Sequence, residues 1–179
     1  MGRKHSPHGC GFHIRTAGCP FRRRSAGVSL SAHETEPKPI HATAISFENK
    51  GVLLTGSSGS GKSALAIELI ARGALLIADD MVDIRPGPEG WPHLFGTGRM
   101  AGIIEARGLG LVRVPNVTHA PLAAIVEMDQ RETARLPSPR EKIVLGQPIP
   151  LLGCLDTAHF PAFLVCYLRG GRVTVSPDD

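Results

Sequence analysis

The sequence has no run of about 20 apolar residues, which is the length that a membrane-spanning helix requires. Its N-terminus carries positive charge but lacks the apolar core of a secretory signal, so we expect neither membrane insertion nor secretion. Of its 179 residues, 42% are apolar, and the mean hydropathy is +0.02. These values are typical of a single globular domain, and we expect a cytoplasmic location.

Cysteine is also scarce, with four residues and no C-x-x-C pair. Structural zinc sites usually bring their ligands in such pairs, so Cys10 and Cys19 do not predict a zinc site despite the histidines near them. Cys154 and Cys166 lie in apolar surroundings, and we interpret both as small core residues with reduced thiols.

A basic surface is missing from most of the chain, although the calculated pI is about 9.1. Residues 1–40 carry a net charge of +5, whereas the rest carries −1. A nucleic-acid-binding domain needs a basic face, so we do not expect nucleic acid as a partner, beyond weak binding by the basic head. That head has no hydrophobic periodicity. We therefore predict a disordered basic segment over residues 1–38 and a folded domain over residues 39–179.

The most specific motif is G-S-S-G-S-G-K-S at residues 56–63, a full match to the phosphate-binding loop pattern G-x-x-x-x-G-K-[ST]. The apolar run 51–55 before it predicts a buried strand, and the apolar spacing of residues 64–72 predicts a helix that ends at Gly73. In this order, the loop amides and the helix N-terminus bind phosphate. The predicted nucleotide-binding residues are Gly56, Ser57, Ser58, Gly59, Ser60, Gly61, Lys62 and Ser63.

Asp79 and Asp80 directly follow a second apolar run, residues 74–78. A strand beside the phosphate-binding loop would bring these carboxylates to the γ-phosphate and to Mg²⁺. One carboxylate can bind Mg²⁺ through water, while the other can accept a proton from an attacking hydroxyl. Neighbouring side chains on a regular strand point to opposite faces, so at least one aspartate must lie in irregular backbone if both serve one site.

The remaining pattern predicts a strand-rich α/β domain with fewer helices than a doubly wound nucleotide-binding fold. Residues 40–47 and 51–55 predict a hairpin with its turn at residues 49–51, and residues 131–141 predict an exposed loop. The other predicted elements are strands over 81–85, 91–95, 111–114 and 123–128, and a helix over 161–168.

A third cluster, E-A-R-G-L-G at residues 105–110, follows the loop and the L-I-A-D-D segment at residues 76–80. With His41 upstream, these motifs resemble the HPr kinase/phosphorylase family from about His41 to Arg135. The chain looks like the short form of that family, the C-terminal catalytic domain alone, as in α-proteobacteria. The resemblance implies an α/β, strand-rich P-loop kinase domain of the HPr kinase / PEP carboxykinase-like type, with few helices.

The resemblance also implies a function. Such an enzyme uses ATP and Mg²⁺ to phosphorylate a serine on a phosphocarrier protein, HPr or NPr, of the bacterial phosphotransferase system, and it assembles as a hexamer. The implied roles are Ser63 and Glu105 as Mg²⁺ ligands, Lys62 on the phosphates, one of Asp79 and Asp80 as general base, His41 as its orienting partner, and Arg107 or Arg135 as the group that neutralises the transferring phosphoryl group.

The chain departs from the family pattern in three places. Ala64 replaces a common Glu, Pro137 replaces the Gly that usually follows Arg-Leu, and residues 151–163 lack the P-V-R-P-G-R-N type segment linked to dephosphorylation. Phosphorolytic dephosphorylation is therefore doubtful. Two other functions stay open at this point, a nucleotide-sensing regulatory P-loop ATPase and a small-molecule kinase.

Overall fold

The structure, a computed structural model, describes residues 39–98 and 100–173. The predictions for residues 1–38 lie outside these ranges, as does the end of the predicted domain, residues 174–179. The described elements are β1 (Ile40–His41), β2 (Thr43–Phe47), β3 (Lys50–Thr55), α1 (Lys62–Ile70), β4 (Leu75–Ala78), β5 (Met81–Pro86), β6 (Pro92–Gly96), β7 (Ile103–Ala106), β8 (Gly110–Arg113), β9 (His119–Arg131), β10 (Glu141–Val144), β11 (Gln147–Cys154) and α2 (Phe160–Gly170).

β2 and β3 form a hairpin that directly follows β1. Glu48 and Asn49 turn the chain with φ of 48° and 61°, and Phe47 pairs with Lys50. A two-residue turn with two positive φ angles matches the twist of the flanking strands. The predicted hairpin is confirmed for residues 43–47, whereas residues 40–41 pair with β5 instead. The turn is placed wrongly, because Lys50 and Gly51 already pair with β2.

Nine strands form one mixed sheet in which β9 is central. β9 pairs in parallel with β3 along one edge and with β11 along the other, and its first residues pair antiparallel with β6. β2 lies between β3 and β4, antiparallel to both. β3, β4 and β9 therefore run in one direction, so their carboxyl ends meet at one edge of the sheet.

The sheet is covered on both faces. On one face, α1 and α2 pack against apolar side chains such as Val52, Leu54 and Val126. On the other face, side chains of β5 and β6, which belong to the same sheet, join Leu53 and Ile125 in a second apolar cluster. A strand buried on both faces needs a continuous apolar sequence, which explains the unbroken runs before the loop and before Asp79.

The two α-helices of the described residues match the prediction of a strand-rich α/β fold with few helices. α1 begins at Lys62 and is followed by a turn that ends at Gly73, whose φ is 100°. The predicted helix near the C-terminus is also confirmed as α2, which buries Phe160, Leu164 and Leu168. Cys166 lies on the opposite side of this helix and is exposed, so its assignment to the core is wrong.

Three strands, β7, β10 and β11, were not predicted. The predicted strands over 81–85, 91–95 and 111–114 are confirmed with small shifts of their ends, and the one over 123–128 is confirmed as part of the longer β9. β7 and β8 form a separate two-stranded sheet, and β7 lies against α1, with Ile104 buried in the core. Within the described ranges, neither helix has the length and apolar character needed to cross a membrane.

Candidate active site

The phosphate-binding loop connects β3 to α1 at the edge where the parallel strands end. Gly56, Gly59 and Gly61 all have positive φ, at 144°, 82° and 96°. A Cβ at residue 56 would lie 2.8 Å from Ser60 Oγ and 3.0 Å from Met128 Cβ, so the first glycine is required by space as well as by conformation. The third glycine is the N-cap of α1, where a left-handed residue turns the chain into the helix.

Lys62 is buried within this loop, with 7% of its surface exposed. Its Nζ donates to the carbonyl oxygens of Gly56 and Ser57, both at 2.9 Å. Among residues 39–98 and 100–173, no carboxylate forms an ion pair with it. A buried ammonium group is normally paired with an anion, so this cation is suited to a phosphate group that enters the loop.

Asp79 connects four parts of the fold. Its Oδ1 accepts hydrogen bonds from Thr43 Oγ1 on β2, at 2.8 Å, and from Ser63 Oγ at the start of α1, at 3.0 Å. Its Oδ2 lies 3.3 Å from the same serine hydroxyl and 3.4 Å from the backbone nitrogen of Glu105 on β7. The structure thus brings together the side chains of the predicted residues Ser63 and Asp79 with the backbone of Glu105.

Asp80 has different surroundings. Its Oδ1 lies 2.8 Å from His41 Nε2, and the side chains are 71% and 53% exposed, respectively. Asp80 has φ of 83°, and its carbonyl oxygen accepts a hydrogen bond from the backbone of Ala42 at 3.0 Å. The expectation of irregular backbone at one of the two aspartates is confirmed, because the chain leaves the strand conformation here.

The two predicted arginines lie apart from these contacts. Arg107 lies in the exposed turn between β7 and β8, two residues after Glu105. Arg135 is exposed in the loop between β9 and β10, where it lines a groove of about 260 Å³ against α2. No residue of the phosphate-binding loop lines that groove. Within the described part of the chain, neither guanidinium group makes a hydrogen bond or an ion pair, and their catalytic role stays a prediction.

Two ionisable groups outside the phosphate-binding loop, Tyr167 and Cys154, have raised pKa values. Burial raises the pKa of the Tyr167 phenol in the groove, and the nearby Arg172 opposes this effect. Burial likewise raises the pKa of the Cys154 thiol, with Arg131 acting in the other direction. The Cys154 thiol therefore stays protonated near neutral pH and is not an activated nucleophile.

Two residues of the site were missed from the sequence, Thr43 and Asp129. Asp129 Oδ2 accepts a hydrogen bond from the Ser57 backbone nitrogen at 2.7 Å, and its Oδ1 accepts one from Ser57 Oγ at 2.9 Å. The sequence pattern that identified Asp79, an acidic residue at the carboxyl end of an apolar strand, also applies to Asp129. Thr43, inside a run of buried residues, gave no such signal.

A parallel strand pair, a glycine-rich loop with a buried lysine, and acidic residues at the neighbouring strand end define a phosphate-binding-loop domain of the α/β class. Comparison with known families narrows this class: a family model described as HPr Serine kinase C-terminal domain matches residues 33–121. The chain belongs to the HPr serine kinase family.

Curated relatives support this assignment. The chain is 40% identical over 126 residues to the HPr kinase/phosphorylase of Burkholderia lata and 39% identical over 126 residues to that of Burkholderia cenocepacia. Each alignment covers 62% of this chain and 38% of the relative. The chain therefore spans well under half the length of these relatives.

A solved structure also has the same fold. The HPr(Ser) kinase/phosphatase of Coxiella burnetii superposes with a TM-score of 0.62 at 23% sequence identity, covering 74% of this chain and 94% of that one. The predicted HPr kinase-like, strand-rich architecture is thereby confirmed.

Proposed function

We propose that this chain is an ATP-dependent protein serine kinase that phosphorylates a phosphocarrier protein of the HPr or NPr type. Two features together support the proposal. Lys62 is buried and has no acidic partner among the described residues, and Asp80 is exposed and contacts His41. The first fits a polyphosphate, and the second fits a base that a protein hydroxyl can reach. The names of the curated relatives point to the same substrate class.

The donor set fits a nucleotide with Mg²⁺. Within residues 39–98 and 100–173, no three His, Cys, Asp or Glu residues converge on one point. Mg²⁺ usually takes few protein ligands and fills its remaining positions with phosphates and water. Ser63 and Glu105 would hold the ion, which would neutralise charge on the phosphates when bound. Asp79 would orient the Ser63 hydroxyl, and Lys62 would contact the phosphates directly.

Asp80 is the better general base of the two aspartates. Asp79 already accepts hydrogen bonds from two hydroxyl groups, whereas Asp80 is mostly exposed and has His41 as its partner. In the proposed step, the serine oxygen bonds to the γ-phosphorus, the bond from that phosphorus to the β–γ bridging oxygen breaks, and ADP leaves. The serine proton passes to Asp80, which His41 keeps in position.

The rest of the proposal follows the family. Arg107 or Arg135 would offset charge on the transferring group, and the enzyme would work in the cytoplasm as a homo-oligomer, with a hexamer as the expected form. The proposal covers phosphorylation only, since the segment associated with phosphorolysis is missing from residues 151–163.

The decisive test is incubation with γ-labelled ATP, Mg²⁺ and the phosphocarrier protein of the same organism, followed by mapping of the labelled residue. Label on a serine of the carrier supports the proposal, and Asp80→Asn should lose that label while it still binds ATP. A wild-type chain that binds ATP but labels no carrier would instead favour the nucleotide-sensing alternative. Label on a small metabolite would favour the small-molecule kinase.

A further inference from the structure

The Asp129 carboxylate holds the first turn of the phosphate-binding loop from outside. Both of its oxygens accept hydrogen bonds from Ser57, one from the backbone nitrogen at 2.7 Å and one from the hydroxyl at 2.9 Å. β3 and β9 are parallel, and Thr55 pairs with Glu127 near the edge of the sheet where both strands end. Ser57 and Asp129, each two residues further along, therefore lie opposite each other. The pair is a charge-assisted, two-point contact, which is stronger than an ordinary neutral hydrogen bond.

Ser57 is also held from the inner side of the loop. Its carbonyl oxygen accepts hydrogen bonds from Lys62 Nζ at 2.9 Å and from the Ser60 backbone nitrogen at 3.2 Å. Because Lys62 would turn toward an incoming phosphate, its contact with Ser57 would weaken when nucleotide binds. Asp129 would then be the main contact that keeps this end of the loop on β9.

The local packing is adapted to this contact. A Cβ at Gly56 would lie 3.3 Å from Asp129 Oδ1 and 3.0 Å from Met128 Cβ, so the glycine leaves room for β9 to approach the loop. The position of the carboxylate is nevertheless unfavourable in one respect. A negative charge beside a loop built for phosphate repels the ligand, and an exposed site screens that repulsion only in part.

We propose that Asp129 is a positioning residue for nucleotide binding. By taking the N–H and hydroxyl of Ser57, it keeps the first turn of the loop against β9, so that the remaining loop amides stay directed at the phosphates. This inference rests on the proposed function only in that the loop binds a nucleotide. The inference predicts the direction in which ATP affinity changes. Loss of the carboxylate should weaken ATP binding, whereas removal of a carboxylate that only repelled phosphate would tighten it.

The test is a calorimetric titration of the full chain with Mg-ATP, using Asp129→Ala, Asp129→Asn, Ser57→Ala and the neighbouring control Gln130→Ala. We expect about tenfold weaker binding for Asp129→Ala, since a charge-assisted hydrogen bond is removed. Asp129→Asn keeps one acceptor oxygen and should lose less. Ser57→Ala keeps the backbone contact and should lose the least, and Gln130→Ala should bind as the wild type does.

Steady-state kinetics separate positioning from general damage to the fold. The KM for ATP should rise in Asp129→Ala by the same factor as the Kd, while kcat at saturating ATP stays within about twofold of wild type. Unchanged or tighter ATP binding by Asp129→Ala would overturn the inference, as would a kcat that falls as far as the affinity. A wild-type chain that binds no Mg-ATP would instead remove the proposed function itself.

Discussion

Asp79 and Asp80 are neighbours in the chain, yet they belong to two different regions of the site. The inner region is built around Asp79, where Thr43, Ser63 and the backbone of Glu105 all donate toward one partly buried carboxylate. The outer region consists of Asp80 and His41, both largely exposed. The positive φ of Asp80 separates the two, because it ends the strand conformation between adjacent side chains.

The difference shows how one acidic pair can serve two purposes. A carboxylate surrounded by donors is fixed in position, which suits the support of a metal ligand. A carboxylate with one partner and an exposed side chain can meet a hydroxyl group from another protein. The predictions below test whether the inner region supports binding and the outer region supports proton transfer.

The largest effect is expected from Lys62→Ala, because both regions would act on a phosphate that this residue is proposed to hold. The substitution removes the only described cation inside the loop, along with its two contacts to the Gly56 and Ser57 carbonyl oxygens. We expect ATP affinity to fall by about 100-fold or more, and transfer to be lost. The measurements are calorimetric ATP binding and carrier labelling. Lys142→Ala, on exposed β10, is the matched control and should change neither.

The comparison between the two regions is tested directly by Asp80→Asn and Asp79→Asn. Asp80→Asn should lower kcat by about 10²-fold or more with little change in ATP affinity, because the amide cannot take the serine proton. Asp79→Asn should instead weaken Mg²⁺-dependent ATP binding. Single-turnover labelling and ATP titration with and without Mg²⁺ distinguish the two outcomes.

A reversed pattern would contradict this division of roles. If Asp79→Asn lost transfer at full ATP occupancy while Asp80→Asn kept it, the base would be Asp79. If both single variants and the double variant retained transfer, neither aspartate would be the base.

His41→Ala is expected to have a smaller effect, because it removes only the partner of Asp80. One exposed hydrogen bond to a charged group stabilises the geometry modestly, so kcat should fall about fivefold with the ATP affinity unchanged. The sharper measurement is the double variant with Asp80→Asn. It should be no slower than Asp80→Asn alone, since His41 acts through that carboxylate. Additive losses would show that His41 has a separate role, and His93→Ala on β6 is the histidine control.

Much of the site was predictable from sequence because its parts are local in the chain. The loop, the apolar strand before it and the helix after it form one continuous motif, and Asp79 and Asp80 directly follow the next strand. Contacts that depend on strand pairing were harder to predict. The contact between Asp129 and Ser57 joins residues 72 positions apart, and it depends on which strand lies beside β3. No pattern within either segment specifies that neighbour.

The fold was harder to predict where proline and short strands interrupt the usual signals. β11 contains Pro148 and Pro150, which interrupt the usual strand signal, but both prolines pair with β10 at the margin of the sheet, where a missing N–H donor is tolerated. β7 has four residues and is followed by a glycine-rich turn, so its segment gave no strand signal of its own. Tertiary pairing, which local propensity does not encode, decides both.

The smallest effect is expected from Thr43→Val, which tests the inner region without touching a proposed catalytic group. Thr43 is 1% exposed, and its hydroxyl is one of two that donate to Asp79. Valine keeps the volume but removes this donor beside a carboxylate, so we expect a loss of about 1 kcal/mol in the free energy of unfolding, measured by urea denaturation.

Thr43→Ser keeps the hydroxyl and should lose less stability than Thr43→Val if the hydrogen bond matters more than the methyl group. Because Ser63 and the Glu105 backbone would still hold Asp79, ATP affinity should change by less than about threefold. A valine variant as stable as wild type would mean that Asp79 does not depend on its contact with β2, and the inner region would then consist of α1, β7 and the end of β4 alone.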